Sequence, residues 1–357
     1  MGQMAYFRAL KQALMWISRR QQLHFHLRLL RHFKVQRLGN ILALLSSFFV
    51  SRMLGRPLAW GRPWALSVEP SGQCNLQCPE CPVGAGVLTR KAGKMPPGLL
   101  KELLDQSGPQ LSFLNLYFQG EPLLNRQLGE MVQLATERRI FTSMSTNGLL
   151  LTPRRCDELI LGGLGQLIVS VDGLTPESYA RYRKGGDLLK VQEGIRTFLE
   201  RRKALKKHSP ILCVQFLVFA HNEHEIPALK RWCKAQGVDR LQLKSAQFYD
   251  FGNQEVAPPE NPRYSRYKMV DGRLQMKGKM YKHCYKQWSS AVVSWDGQVA
   301  PCCYDKDLDY SPGNIRQVPL PELWKGKKMR GFRNQVLTNK AQIEMCRNCP
   351  EGRKWLI

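Results

Sequence analysis

Acidic residues are absent from the first 68 positions of this 357-residue chain, although that stretch carries eleven lysines and arginines. The first acid is Glu69, and the whole chain has 54 lysines and arginines against 28 aspartates and glutamates, a formal net charge of +26. A surface with this balance attracts anions such as nucleic acid, anionic lipid or phosphate groups. The hydrophobic share of 43% excludes a disordered or collagen-like chain.

The N-terminal part also has no uncharged run long enough to cross a bilayer. The run Ile41–Val50, between Arg37 and Arg52, has ten residues, whereas a membrane-spanning helix needs about 20. Upstream, apolar residues recur among arginines and histidines, at Phe7, Leu10, Leu14 and Ile17. We expect residues 1–62 to form a basic, amphipathic helical extension. Three roles stay open: peripheral membrane contact through an interfacial helix, docking on the protein's own core, or a targeting or nucleic-acid-binding arm.

The number of cysteines is odd, and no secretory signal is evident. The chain has eleven cysteines, and most of them fall into two groups with short spacings. Metal-bound thiolates in a reducing compartment explain this pattern better than disulfides do. We expect a cytoplasmic protein, at the inner face of the membrane if the extension binds lipid. Three further cysteines lie in predicted helices or strands and are expected to be core residues: Cys156, Cys213 and Cys233.

From residue 63 onward, short apolar strands alternate with helical stretches. The predicted strands are Trp64–Val68, Phe113–Phe118, Thr142–Thr146, Gln166–Val171, Ile211–Phe219 and Arg240–Lys244. The predicted helices are Asn125–Arg139, Thr152–Leu161, at least one within Pro176–Lys207, and His224–Gln236. This alternation predicts an α/β fold, a partial (β/α)6 parallel barrel, with its functional site in the loops at the carboxyl ends of the strands.

The predicted domains follow one another along the chain. The basic extension covers residues 1–62, the barrel covers 63–250, and a polar connector with three prolines covers 251–283. A small cysteine-bearing domain covers 284–357 and is built on a β-hairpin whose turn is Asp296–Gly297.

The first cysteine group directly follows the first predicted strand. Cys74, Cys78 and Cys81 form a C-x3-C-x2-C pattern on one loop. Three thiolates at this spacing can hold three irons of a [4Fe–4S] cluster and leave the fourth iron open, as in a catalytic metal site. The alternative is a zinc knuckle, but zinc usually takes four ligands, and a fourth cysteine nearby is missing.

The segment resembles the radical S-adenosylmethionine (SAM) enzymes, whose hallmark is C-x3-C-x2-C in the loop after the first barrel strand. One position departs from the family pattern: an aromatic residue usually precedes the third cysteine, and here that residue is Glu80. The departure changes the packing beside the cluster or the adenine but removes no ligand.

The resemblance also implies contacts to SAM at the ends of later strands. They come from the QGEP, STNG and SVDG motifs and from an arginine beyond them: Gly120, Glu121, Pro122, Ser145, Asn147, Asp172 and Arg183. A sulfonium zwitterion needs a carbonyl or carboxylate for its ammonium group and a cation for its carboxylate. Glu121 and Arg183 are residues of these types.

The second cysteine group consists of Cys284, Cys302, Cys346 and Cys349. A structural zinc ribbon is a serious competitor by ligand chemistry alone. The spacing resembles the SPASM/Twitch extension of radical SAM enzymes, which binds auxiliary [4Fe–4S] clusters. The resemblance implies one auxiliary cluster held by these four thiolates. Cys302 fits the spacing better than Cys303, although either could be the ligand.

The resemblance implies two [4Fe–4S] clusters and SAM as cofactors. The first cluster, reduced by a flavodoxin- or ferredoxin-type donor of low potential, would cleave SAM to a 5′-deoxyadenosyl radical, which takes a hydrogen atom from a substrate carbon. The second cluster would accept the electron left on the substrate, giving an oxidoreductase. Asp250, just beyond the last predicted strand, is the candidate base for the departing proton.

The expected substrate is a peptide, a sugar-like molecule or a lipid-linked molecule. Modification of nucleic acid is the alternative that the net charge favours, but the basic excess is concentrated at one end and no stripe of mixed aromatic and basic residues is evident. A non-catalytic protein with two structural zinc ions is the alternative outside enzymes.

Overall fold

A computed structural model describes residues 14–16, 35–249, 251, 255–351 and 353–354. Asp250, the candidate base, therefore lies outside the described residues, as does most of the predicted extension before residue 35.

Short strands and helices alternate through the described chain. The strands are β1 (Leu14–Trp16), β2 (Ala65–Val68), β3 (Phe113–Asn115), β4 (Phe141–Thr146), β5 (Gln166–Ser170), β6 (Ile211–Val218), β7 (Arg240–Ser245), β8 (Tyr267–Val270), β9 (Arg273–Met276), β10 (Lys279–Met280), β11 (Ser290–Val293), β12 (Gln298–Ala300), β13 (Gly313–Asn314) and β14 (Arg353–Lys354).

The α-helices are α1 (Val35–Leu54), α2 (Pro97–Ser107), α3 (Leu128–Glu137), α4 (Pro153–Leu161), α5 (Pro176–Tyr182), α6 (Leu188–Ala204), α7 (Ile226–Gln236), α8 (Lys286–Ser289), α9 (Leu320–Lys325), α10 (Lys327–Asn339) and α11 (Glu344–Arg347).

The chain forms two compact units, each assembled from segments that are distant in sequence. The first unit contains the described residues 14–16, 74–87 and 143–277. In it, β5 pairs in parallel with β6 and with residues 143–146 of β4, and β6 pairs in parallel with β7. All five residues of β5 are buried, as expected for an inner strand covered on both faces. The predicted α/β fold with parallel strands is confirmed here.

The second unit contains the described residues of 29–73, 88–142 and 278–357. Its strand β2 pairs in parallel with β3 on one side and with β11 on the other. The predicted hairpin around Asp296–Gly297 is present, since β11 and β12 pair antiparallel on either side of that turn. The C-terminal segment therefore extends the sheet of β2 rather than forming only a separate hairpin.

Helix α1 docks on the second unit. The Arg37 side chain is 1% exposed, and its guanidinium donates to the carbonyl oxygens of Pro109 at 3.2 Å, Arg139 at 2.9 Å and Arg138 at 3.4 Å. The ring of Phe48 packs edge-on against Trp288, with 5.2 Å between ring centroids. Helix α1 therefore has one of the three roles considered for the extension: it docks on the protein's own core.

The apolar segment in α1 is longer than the ten-residue run indicated. Residues Gln36–Leu54 form 19 helical residues that are, by length and composition alone, sufficient to cross a membrane. The core helix of a soluble protein can have the same length and composition.

Three local expectations were wrong or incomplete. Leu14 lies in strand β1, which pairs antiparallel with β7, rather than in a helix. Helix α2 was not predicted, although Pro97 begins it and its leucines at helical spacing are buried. The predicted connector contains the hairpin of β8 and β9. Its turn, Asp271–Gly272, has φ angles of 49° and 72°, the left-handed pair that a tight hairpin turn requires.

We expect Arg37→Met to destabilise the protein because it removes the buried guanidinium that donates hydrogen bonds to three carbonyl oxygens of the second unit. The free energy of unfolding should fall by about 1–3 kcal/mol, measured by urea denaturation followed by circular dichroism. Arg56→Met is the matched control, since Arg56 is exposed just beyond the same helix, and its effect should stay within about 0.5 kcal/mol. Equal losses for the two variants would contradict the role of Arg37.

Candidate functional site

The first three cysteines lie on one loop of the first unit. Cys78 is buried, and Cys74 and Cys81 are half-buried. A turn in which the Cys81 N–H donates to the Cys78 carbonyl at 3.1 Å brings these two residues close together. All three pack on one apolar cluster whose members include Leu76 and Phe219. The sequence pattern therefore places three thiols against one apolar cluster, with Cys78 buried among them.

A buried ion pair stands beside the central cysteine. Arg183 Nε donates to Asp172 Oδ2 at 2.6 Å, and Arg183 Nη1 lies 3.9 Å from the Cys78 sulfur. The other oxygen of Asp172 accepts the Leu217 N–H at 2.6 Å. The structure thus places the predicted SAM-binding residue Arg183 in contact with the cysteine loop and pairs it with a second one, Asp172.

Burial and charge act in opposite directions on these groups. Burial raises the pKa of the Cys78 thiol to about 11, while the Arg183 cation lowers it. Burial also raises the pKa of Asp172, and the Arg183 guanidinium and the Leu217 N–H oppose that rise. The Arg183 cation beside Cys78 therefore favours the thiolate, the form that binds metal.

The end of β4 holds the cysteine loop from another side. Asn147 Nδ2 donates to Asn75 Oδ1 at 2.7 Å, and the Gln77 N–H donates to the Lys184 carbonyl at 3.0 Å. Asn147 was a predicted SAM contact, and in the structure it positions the loop between the first two cysteines. Ser145, a second predicted contact, is half-buried in β4. Contacts of either residue to SAM stay predictions.

Glu80 has a partner that the sequence did not reveal. The side chain is 7% exposed, and its Oε2 accepts the Tyr249 backbone N–H at 2.7 Å. Burial raises the pKa of Glu80, and the hydrogen bond from Tyr249 lowers it. The residue that departs from the family pattern therefore ties the cysteine loop to the segment after β7. Nothing in the spacing of Glu80 pointed to Tyr249, because 169 positions separate them.

The QGEP motif lies in the second unit and has a clear local role. Gly120 has φ 71°, and a Cβ there would stand 2.3 Å from the Ser71 carbonyl oxygen, so only glycine fits. The Glu121 N–H donates to the Gln73 carbonyl at 2.7 Å, and its carboxylate accepts the Leu123 N–H at 3.0 Å at the start of a short 3-10 turn that begins with Pro122. Contact of Gly120, Glu121 and Pro122 with SAM stays a prediction.

The second cysteine group lies within the second unit. Cys284 and Cys346 belong to one apolar cluster with Phe332 and Val336. Burial raises the pKa of Cys346 to about 11 and that of Cys349 to about 12, and the neighbouring Cys284 adds to both shifts. Cys349 also accepts the Glu351 N–H at its sulfur, at 3.4 Å. The structure thus brings together cysteines that the sequence separates by more than 60 positions.

Cys302 and Cys303 both reach this group. Their sulfurs share a hydrogen bond that lowers the pKa of Cys303 and raises that of Cys302. The Lys286 ammonium lies beside both and lowers the pKa of each. Cys302 as the fourth ligand stays a prediction.

The donor atoms of both groups suit iron–sulfur clusters, since thiolates are the usual ligands of such centres. Among the residues that the structure describes, no three histidine, cysteine, aspartate or glutamate side chains gather tightly enough to hold a single metal ion. A cubane cluster separates its ligands more widely than one ion does. The remaining cysteines, Cys156, Cys213 and Cys233, are 0% exposed and are core residues, as predicted.

Two family models match the chain. The radical SAM superfamily model matches residues 68–233, and the SPASM iron–sulfur cluster-binding domain model matches residues 284–350. The first range contains Cys74, Cys78 and Cys81, and the second contains the other cysteine group.

Curated relatives match over most of their length. One is the tungsten-containing aldehyde ferredoxin oxidoreductase cofactor-modifying protein of Pyrococcus furiosus, 27% identical over 80% of this chain and 86% of that protein. Another is the PqqA peptide cyclase of Granulibacter bethesdensis, 23% identical over 80% of this chain and 79% of that protein.

Solved structures share the fold. Streptococcus suis SuiB bound to SAM matches with a TM-score of 0.61 and 14% identity, over 81% of this chain and 72% of that chain. The structure of anSMEcpe with bound SAM matches with a TM-score of 0.55 and 21% identity, over 81% of this chain and 85% of that chain.

We expect Cys78→Ala to remove about four irons per chain, because a [4Fe–4S] cluster does not persist on two thiolates. Iron and sulfide are to be assayed on protein reconstituted without air. Cys156→Ala is the matched control and should keep its full iron content. Unchanged iron in Cys78→Ala, or zinc in its place in the unmodified protein, would refute the assignment.

A second pair of variants separates Cys302 from Cys303. We expect Cys302→Ala to lose about four irons and Cys303→Ala to keep them, measured in the same assay and by the absorbance of the clusters. The reverse result would assign the ligand to Cys303, and loss in neither variant would remove both residues from the cluster.

Proposed function

We propose that this chain, which belongs to the radical SAM superfamily and carries a SPASM iron–sulfur domain at its C-terminal side, is an enzyme that modifies a peptide by taking a hydrogen atom from one of its carbons. The curated relatives support the peptide over the sugar-like, lipid-linked and nucleic-acid alternatives: one is named a peptide cyclase and matches four fifths of this chain. The P. furiosus relative is named a cofactor-modifying protein. Both names therefore describe a protein that modifies another molecule.

The arrangement of Cys78, Arg183 and Asp172 is the observation that carries the proposal. Cys74, Cys78 and Cys81 would hold the first [4Fe–4S] cluster, and Cys284, Cys302, Cys346 and Cys349 would hold the second. When bound, the first cluster with SAM supplies one-electron reduction and hydrogen-atom abstraction, and the second supplies a one-electron acceptor for net oxidation.

Arg183 is the residue best placed to bind the carboxylate of SAM. Its guanidinium stays charged even when buried, and its Nε is bonded to Asp172, so the side chain cannot rotate freely. Asp172 is in turn fixed by the Leu217 N–H. Asp172 therefore acts as a positioning residue that holds the cation next to the cysteine loop.

Apolar side chains beside the loop lower the local polarity. Tyr182 and Phe219 are buried in the same cluster as Cys78, with 4.7 Å between their ring centroids. Low local polarity strengthens the attraction between a guanidinium and a carboxylate. The hydrogen bond from Tyr249 to Glu80 fixes the residue directly before Asp250, which we retain as the candidate base.

The test is formation of 5′-deoxyadenosine by the reconstituted enzyme with SAM and dithionite, in the absence of air. A low-molecular-weight peptide fraction from the source organism should raise the yield above the background without it, and proteinase treatment of the fraction should abolish the increase. An increase that survives proteinase but follows the lipid extract, or is lost with nuclease, would overturn the peptide assignment.

Arg183→Gln tests the site independently of the substrate. We expect the KM for SAM to rise about 10- to 100-fold, the effect of losing one charge-assisted hydrogen-bonded contact. Arg181→Gln is the control, because Arg181 is exposed two positions away, and its KM should not change. An unchanged KM in Arg183→Gln would exclude the carboxylate contact.

A further inference from the structure

Helix α1 has a second face that the described residues of the second unit leave exposed. Leu38, Leu42, Phe49 and Met53 are spaced four, seven and four residues apart and are 42, 55, 50 and 84% exposed. Residues at these intervals lie along one side of a helix. We call these four side chains the α1 stripe. The proposed function makes no use of them.

The opposite face of α1 packs against the second unit. Leu44, Ser47 and Phe48 are at most 5% exposed, and the Ser51 hydroxyl accepts the Leu58 N–H at 2.8 Å. Arg37 is held by three carbonyl groups of the same unit. A helix that crossed a bilayer would have to leave the second unit and break the hydrogen bonds of Arg37 to these three carbonyl groups, which is costly. The α1 stripe can therefore meet a membrane only from the side, with α1 lying along its surface.

Single exposed apolar residues are common on soluble proteins, but an aligned set on one helix marks an interaction surface. An exposed tryptophan, Trp60 (53% exposed), follows shortly after α1. Tryptophan is enriched where apolar chains meet polar headgroups. The composition of this surface is thus that of an interfacial helix.

Charge indicates which surface the stripe meets. Arg52 and Arg56 are exposed at the C-terminal end of α1, and the first 68 residues contain no acid that could balance them. A second copy of this chain would bring the same positive charges against each other. A nucleic acid offers phosphates but no apolar layer for four aliphatic and aromatic side chains. An anionic bilayer satisfies both features.

We infer that the α1 stripe inserts into the interface of an anionic phospholipid bilayer, with Arg52 and Arg56 paired to headgroup phosphates. The enzyme is then a peripheral membrane protein whose docking surface belongs to the second unit, whereas its cysteine loop belongs to the first. This inference does not depend on the peptide substrate.

The test is co-sedimentation of the full-length, reconstituted protein with vesicles. Vesicles of phosphatidylcholine with about 30% phosphatidylglycerol should bind the protein at low salt, because an anionic surface attracts basic residues beside it. Vesicles of phosphatidylcholine alone should bind it more weakly, and added salt or a carbonate wash should release it. Resistance to the carbonate wash would show a spanning helix and overturn the inference.

A triple variant, Leu42→Ser, Phe49→Ser and Met53→Ser, replaces three of the four exposed apolar side chains of the α1 stripe. We expect its affinity for the anionic vesicles to fall at least about tenfold, because burial of these side chains in the interface drives binding. The matched control is Leu161→Ser, Leu189→Ser and Met269→Ser, three residues with 62–67% exposure elsewhere. The control should bind like the unmodified protein.

A double variant, Arg52→Gln and Arg56→Gln, tests the cations. We expect about a fivefold loss of affinity per charge, confined to anionic vesicles. Binding that depends on salt but not on the stripe would assign it to cations elsewhere and overturn the inference. So would a change of oligomeric state in the triple variant, measured by light scattering, because the stripe would then be covered by a second copy.

Discussion

The ion pair between Asp172 and Arg183 is the interaction on which the candidate site depends. Its oxygen and nitrogen atoms are 2.6 Å apart, and the Asp172 side chain is fully buried. Removing one partner of such a pair leaves an uncompensated buried charge, at a cost of about 3–5 kcal/mol. The backbone of Leu217 and the side chain of Asn222, which donates to the Asp172 carbonyl at 2.9 Å, hold the aspartate in place. The position of the cation beside Cys78 is therefore set by the strands and not by the loop alone.

Further contacts to the cysteine loop come from residues that follow parallel strands. Asn147 follows β4, Asp172 follows β5, and Tyr249 comes after β7. Parallel strands place these ends at one edge of the sheet, so side chains far apart in sequence converge there. Each of them bonds to the loop or to a residue that touches it. The loop is thus fixed at several points before any cofactor binds.

Particular elements show where prediction from sequence succeeded. The C-x3-C-x2-C spacing, the Asp296–Gly297 hairpin and the strands β4 to β7 follow from local signals, namely fixed spacing, turn chemistry and apolar runs. Helix α2 and the β8–β9 hairpin have equally clear local signals, in Pro97 and in Asp271–Gly272, although the predicted helices do not include α2 and the predicted connector includes no strand. The strand at Leu14–Trp16 could not be predicted from local sequence, because its partner β7 lies more than 220 positions away.

The sequence by itself determined the cysteine spacing in each group, the parallel α/β fold and the one-sided distribution of charge, since these depend on residues close in the chain. Only the tertiary structure decided that Arg183 faces Cys78, that Glu80 binds Tyr249, and that α1 buries Arg37 while exposing the α1 stripe. Such pairings depend on which buried polar groups find partners once the chain is compact. A buried polar group without a partner raises the free energy of the folded state by more than local conformational preferences lower it.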